Sequence, residues 1–205
     1  MKKFGLLAVL IAIFSLFVSA QTNKKAEIKR IDAYVKTVDA FVKKNKSPHL
    51  VFADVSDYET DSKAKWRKFS SEKALEKFRE TTETYTIAYN WKRNGKIIRS
   101  SFTLFSPSGD WAKYVHFYFR EDGTLAKSET EMRTFVGDFA AQRDFYFDRK
   151  GRLLKKTIEY KDLDGKPKQV AEDDLQNNLF FLGKENYYKK TSRLPFASLL
   201  KRKRN

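Results

Sequence analysis

The sequence predicts an α+β fold: an N-terminal amphipathic helix packed on a curved antiparallel β-meander of about six strands, built from three 28-residue hairpin repeats. Three observations predict it. Ile28, Ile31, Val35, Val38 and Val42 recur at spacings of three and four, which draws one apolar stripe on a helix. From Glu83 the period drops to two, with Tyr85, Ile87, Tyr89 and Trp91 alternating with smaller or polar residues as in a strand. One phrase is then written three times without gaps: YNWKRNGKIIR from Tyr89, FYFREDGTLAK from Phe117 and FYFDRKGRLLK from Phe145.

The chain begins with Lys2 and Lys3, an apolar run from Phe4 to Val18, and the small residues Ser19 and Ala20 before Gln21. That order is a secretory signal peptide over residues 1–20, and it predicts export to the periplasm or the extracellular space. The run is shorter than the ~20 apolar residues of a spanning helix. Residues 21–183 then have the size of a single domain with its own core. The chain has no cysteine, so this core is built without disulfides.

Within that domain the first helix is expected over residues 24–45, ended by Ser47 and Pro48. His49 to Val55 has the composition of a short strand, and Ser56 to Lys65 that of a loop. A short helix over 71–80 follows, capped by Ser70 or Ser71 and turning Ala74, Leu75 and Phe78 inward. The meander occupies 83–161, a short helix 172–182 ends at Gly183, and 184–205 forms a basic tail.

Each copy of the phrase carries a turn with glycine at its end, Gly95, Gly123 and Gly151, which suits a three-residue hairpin turn closed at positive φ. That register pairs residue 120 with 124 and Phe119 with Leu125. It also sets Tyr89 against Arg99, Phe117 against Lys127 and Phe145 against Lys155, one aromatic–cation pair per hairpin. The opposite face carries small residues such as Ala88, Ala126 and Ser128, which let the first helix approach. The third copy, Phe147-Asp148-Arg149-Lys150-Gly151-Arg152-Leu153, resembles the YD-type repeats of secreted bacterial proteins, and the resemblance implies a hairpin there and nothing further.

Charge is concentrated at the ends. Residues 24–46 hold eight basic and three acidic groups, and residues 184–205 hold eight basic groups against Glu185. The 137 residues between are close to neutral, with 24 basic and 22 acidic groups. Polybasic segments are drawn to anionic surfaces by a salt-screened attraction. The partners implied are an anionic membrane surface, a cell-wall polymer or an acidic protein; nucleic acid conflicts with export.

No residue set specifies a reaction. His116 is expected opposite Ser128 and Asp144 opposite Thr130, which leaves the carboxylate on the wrong side of the imidazole for a Ser–His–Asp relay. Two histidines without cysteine do not make a zinc set, and no cofactor motif is present. The expected function is therefore that of an exported, non-catalytic envelope protein that binds an anionic partner through its basic ends. The binding residues are Tyr89, Arg99, Phe117, Lys127, Phe145 and Lys155 on the sheet and Lys201, Arg202, Lys203 and Arg204 in the tail. A carrier of an apolar ligand, similar to the periplasmic lipoprotein-carrier half-barrels, is the alternative; a hydrolase using His116 ranks last.

Overall fold

A computed structural model describes residues 3–177 and 187–200, with side chains from residue 23 onward. Helix α1 (Lys3–Lys44) is followed by β1 (Leu50–Asp54), β2 (Trp66–Phe69) and α2 (Glu72–Arg79). The meander is β3 (Thr86–Arg93), β4 (Lys96–Phe105), β5 (Trp111–Phe119), β6 (Leu125–Thr134), β7 (Phe139–Phe147) and β8 (Leu153–Lys161). Helix α3 (Glu172–Asn177), a 3₁₀ turn (Thr191–Arg193) and the single-turn α4 (Ala197–Leu200) complete the described chain. All strands join one open antiparallel sheet in the order β2-β1-β3-β4-β5-β6-β7-β8. The sheet thus has eight strands where the sequence suggested about six. Leu50–Asp54 supplies one of the two extra strands, and Trp66–Phe69, too short for a periodicity signal, supplies the other.

Local chemistry accounts for the helices. The stripe of α1 is apolar where it meets the sheet: Ile31, Val35 and Val38 are buried, with Ile28, Tyr34, Phe41 and Val42 packed beside them. The helix expected from residue 24 runs without a break from Lys3, through the expected end of the signal peptide at Ala20. In α2, the Ser71 side chain accepts a hydrogen bond from the Ala74 N–H at 3.1 Å, and Leu75 is fully buried. Helix α3 ends at Asn177; the rest of the helix expected to reach 182 lies outside the described residues.

Register is where the molecule departs from expectation. The second and third hairpins open as their turns predict, with Phe119 facing Leu125 and Phe147 facing Leu153. One step further each carries a β-bulge, so that Tyr118 pairs with Lys127 and Tyr146 with Lys155, leaving Ala126 and Leu154 as extra residues. The first hairpin is closed by two residues, Asn94 and Gly95, at φ +52° and +76°, and its bulge leaves Ile98 extra as Trp91 pairs with Arg99. Two consecutive positive φ values define a type I′ turn, which Asn-Gly adopts readily.

A one-residue slip sends every following side chain to the other face. Phe117 therefore faces Ser128 and Phe145 faces Lys156, while in the first hairpin Tyr89 faces Ser101. None of the three expected aromatic–cation pairs exists. In the second and third hairpins the extra residue puts ring and cation on opposite faces. In the first the two-residue turn and the bulge together shift the register by two, so Tyr89 and Arg99 share a face but stand two residues apart along the strands. The same slip mixes the expected small-residue face: Ala126 lies under α1, whereas Ala88 belongs to the other layer.

Both faces are covered at the hairpin end. On one face α1 crosses the strands. Asp32 accepts from the Tyr146 hydroxyl at 2.9 Å near β8, and the Asn45 carbonyl accepts from Trp91 Nε1 at 2.8 Å on β3. The three bulge residues, Ile98, Ala126 and Leu154, lie directly in its path and form the floor on which it packs. The bulges thus serve the helix, by turning an additional side chain toward it in each hairpin.

The opposite face is an aromatic layer of Phe52, Phe102, Phe117, Phe119, Phe145 and Phe147. It is covered by residues 187–200, through Tyr187, Tyr188, Leu194 and Phe196. Phe196 is fully buried and stacks on Phe52 with ring centroids 4.1 Å apart. This corrects the expectation of a tail from 184: the basic residues there are interleaved with apolar ones that enter the core, and a bridge between Thr124 and Lys190 ties the strap to the second hairpin turn. Gly123 makes room for it, since a Cβ there would stand 2.9 Å from the Thr191 hydroxyl.

Candidate functional site

The sheet has two chemically different ends. Turns 93–96, 120–124 and 148–152 lie at one end, here termed the hairpin end. Connections 55–65, 106–110, 135–138 and 162–166 lie at the other. The hairpin turns present Arg93, Lys96, Arg120, Arg149, Lys150 and Arg152 against Glu121, Asp122 and Asp148. The far connections present Asp57, Glu59, Asp61, Asp110, Asp138, Asp162 and Asp164 against Lys63, Lys65 and Lys166. The turns of this near-neutral middle are therefore a dipole: their cations and their acids are sorted to opposite ends of the sheet.

Other basic stretches join the hairpin end. Helix α1 brings Arg30 beside the turns, and the strap brings Lys189 against Gly151. A cavity of about 680 Å³ between α1 and the turns is lined by Arg30, Arg93, Lys96, Arg120 and Arg149, with Glu27, Glu121 and Asp122 as the acids and Tyr34, Ile31 and Ala126 completing the wall. Arg120 lies deepest. It donates to the carbonyls of Leu125 and Phe147, each at 2.7 Å, and pairs with Glu27 at 3.4 Å. Burial pushes its pKa down while Glu27 opposes the shift. Glu27 also pairs with Arg30 at 3.6 Å, Arg93 pairs with Glu121 at 3.5 Å, and Arg149 with Asp122. A second cavity on the strap side of the same turns is lined by Lys68, Lys92, Lys96 and Leu200.

The expected sheet residues are mostly bound up in packing. Phe117 and Phe145 are buried beneath the strap, and Tyr89 packs with the cluster under α2. Arg99, Lys127 and Lys155 do lie on one face, but with different rings: Arg99 over Trp91 and Tyr118, Lys127 and Lys155 over Tyr146. Arg99 is paired with Asp39 of α1 at 2.9 Å, and Lys127 with Glu129 and Asp144 at 2.7 and 2.8 Å. These cations fasten the helix and neighbouring strands. Lys201, Arg202, Lys203 and Arg204 lie outside the described residues.

His116 belongs to a polar network next to α1. Its Nδ1 lies 2.9 Å from Ser101 Oγ, which accepts from Arg99 Nε at 3.2 Å. The Tyr118 hydroxyl bridges Asp39 and Glu129 at 3.0 and 2.9 Å. Beside it a cavity of about 390 Å³ is lined by Tyr114, His116, Glu129, Glu131, Gln142 and Asp144. His116 faces Glu129 rather than the expected Ser128, which is on the other face opposite Phe117, and Asp144 faces Glu129 rather than Thr130. Burial, assisted by Arg99, lowers the His116 pKa to about 4, so the imidazole is neutral at pH 7 and a weak base.

The arginine-lined cavity was absent from the sequence reading. Its trace was present in the turns, where Lys92 and Arg120 stand at the position of Asp148, and Arg93 and Arg149 at that of Glu121. Nothing in the turns alone shows that α1 closes a cavity over them. The chain matches no protein-family model, no curated protein and no solved structure to which it was compared.

Proposed function

We propose that this is an exported, non-catalytic protein that associates with an anionic membrane surface through its hairpin end. The observation that carries the reading is the sorting of charge: cations from α1, the three hairpin turns and the strap meet at one end, and acids gather at the other. A surface bearing negative headgroups attracts one end and repels the other, so association also sets orientation. The N-terminal apolar run forms the first turns of α1, and Glu27 and Arg30 further along the same helix line the cavity at that end, which agrees with a protein delivered to and held near a membrane. The polybasic sequence Lys201 to Arg204 follows Leu200, which lies at that end, and adds its charge to the attraction.

The repeated phrase fits this reading as well. Three copies of a 28-residue phrase, with Gly95, Gly123 and Gly151 in register, set three basic turns at one end of the sheet and so multiply its charge there. The carrier reading calls for an apolar hollow between helix and sheet, and Ile31, Val35, Val38, Ile98 and Tyr118 occupy that space. A hydrolase reading is disfavoured by the burial that keeps His116 a weak base.

The test is co-sedimentation of the full chain with vesicles of phosphatidylcholine alone and with added phosphatidylglycerol, at low and high salt. The expected outcome is binding that needs the anionic lipid, weakens with salt and falls about 1000-fold when residues 201–205 are deleted, at about 1 kcal/mol for each cation near the surface. Equal binding to neutral and anionic vesicles rejects the proposal.

A further inference from the structure

We propose that the cavity between α1 and the three hairpin turns is a binding site for a phosphomonoester group. The proposal rests on the membrane-association reading and names the headgroup chemistry that the hairpin end selects.

The charge inventory of the cavity points to a dianion. Its walls carry five cationic side chains and three carboxylates. Glu27 is shared between Arg30 and Arg120, so one carboxylate serves two guanidinium groups. Lys96, exposed at the rim, has no ion-pair partner among the described residues. A phosphomonoester carries between one and two negative charges at neutral pH, with three acceptor oxygens, whereas a phosphodiester carries one. The surplus in the cavity matches the monoester.

The geometry is that of a prepared site rather than a diffuse patch. Arg120 has 10% of its side chain exposed, and its plane is fixed by two backbone carbonyls from different hairpins. Its position therefore costs little further ordering when an anion arrives. Arg93 is 30% exposed, and Arg30 and Arg149 at the rim are 75% and 69% exposed, so they keep the freedom to close on a ligand. Guanidinium groups meet phosphate oxygens in paired hydrogen bonds, which favours arginine over lysine at such a site. A volume of about 680 Å³ accommodates a phosphate together with the group that it esterifies.

The same phosphate chemistry is offered by phosphatidic acid in a bilayer and by a free phosphorylated metabolite. The experiment therefore has two arms. Vesicles containing phosphatidic acid or phosphatidylglycerol, matched in surface charge, are compared for binding of the full chain. Glycerol 3-phosphate is titrated separately in calorimetry.

Preference for phosphatidic acid by about tenfold, reduced to near unity in Arg93→Gln/Arg149→Gln, supports the site. Glycerol 3-phosphate binding that is lost in the same variant assigns the site to a soluble ester as well; its failure to bind, with the lipid preference intact, assigns the site to the bilayer. Arg93 and Arg149 lie in exposed turns, so the variant retains the fold. Equal binding to both anionic lipids together with no glycerol 3-phosphate binding overturns the site while leaving membrane association in place. Glycerol 3-phosphate binding without binding to either vesicle upholds the site and overturns the membrane reading.

Discussion

His116 shows how burial governs chemistry at a single residue. Its imidazole bonds to Ser101 and is held neutral, with the pKa lowered to about 4, because desolvation and the Arg99 charge both oppose protonation. The unfolded chain binds this proton near pH 6.5 while the folded one does not until about pH 4. Between those values the unfolded state holds more protons, so acid favours unfolding and stability rises with pH. Between pH 7 and pH 5 this residue alone removes about 2 kcal/mol of stability. In His116→Gln, urea midpoints at the two pH values should converge relative to the parent chain. An unchanged pH dependence in the variant would show that the imidazole titrates normally. The residue was visible in the sequence; its partner was not, since Ser101 faces it across the β4–β5 ladder, whose register is set by the linking turn 106–110 and not by the repeated phrase.

At the scale of elements, the strap and the bulges decide which face is core. Phe196 fills the centre of the aromatic layer, in contact with Phe52, Trp66 and Phe102. Phe196→Ala should lower the free energy of unfolding by about 3–5 kcal/mol and open the aromatic layer to an environment-sensitive dye. Loss of less than about 1 kcal/mol, with no dye signal, would mean that residues 187–200 are not part of the core. The helix stripe, the Ser71 cap and the strand pairs nearest the turns were legible, because each is a local pattern of a few residues. The face assignment was not. Two hairpins begin in the expected register and then gain one residue, and no turn signal marks Ile98, Ala126 or Leu154 as the extra one. The strap escaped for a different reason: its apolar residues are interleaved with lysines and arginines, so composition suggested a tail.

For the whole molecule, the governing feature is the charge sorting between the two ends of the sheet. The sequence shows a near-neutral middle, and only the alternation of turns in space reveals that neutrality as a dipole. The asymmetry is itself written in the turns, since the hairpin phrases carry arginine and lysine while the linking turns around Asp110, Asp138 and Asp162 carry acids. Under the proposed function, location rather than net charge drives association with an anionic surface. Two triple variants that change net charge equally test this. Arg93→Glu/Lys96→Glu/Arg149→Glu reverses the charge of the hairpin end, and Lys63→Glu/Lys65→Glu/Lys166→Glu makes the far end more acidic. Binding of each full chain to phosphatidylglycerol-containing vesicles is measured at low salt, with circular dichroism to verify the fold. The hairpin-end variant should bind about 100-fold more weakly than the parent, at about 1 kcal/mol per cation removed, and the far-end variant should stay within about threefold. Equal weakening in both variants, or none at the hairpin end, would contradict the account.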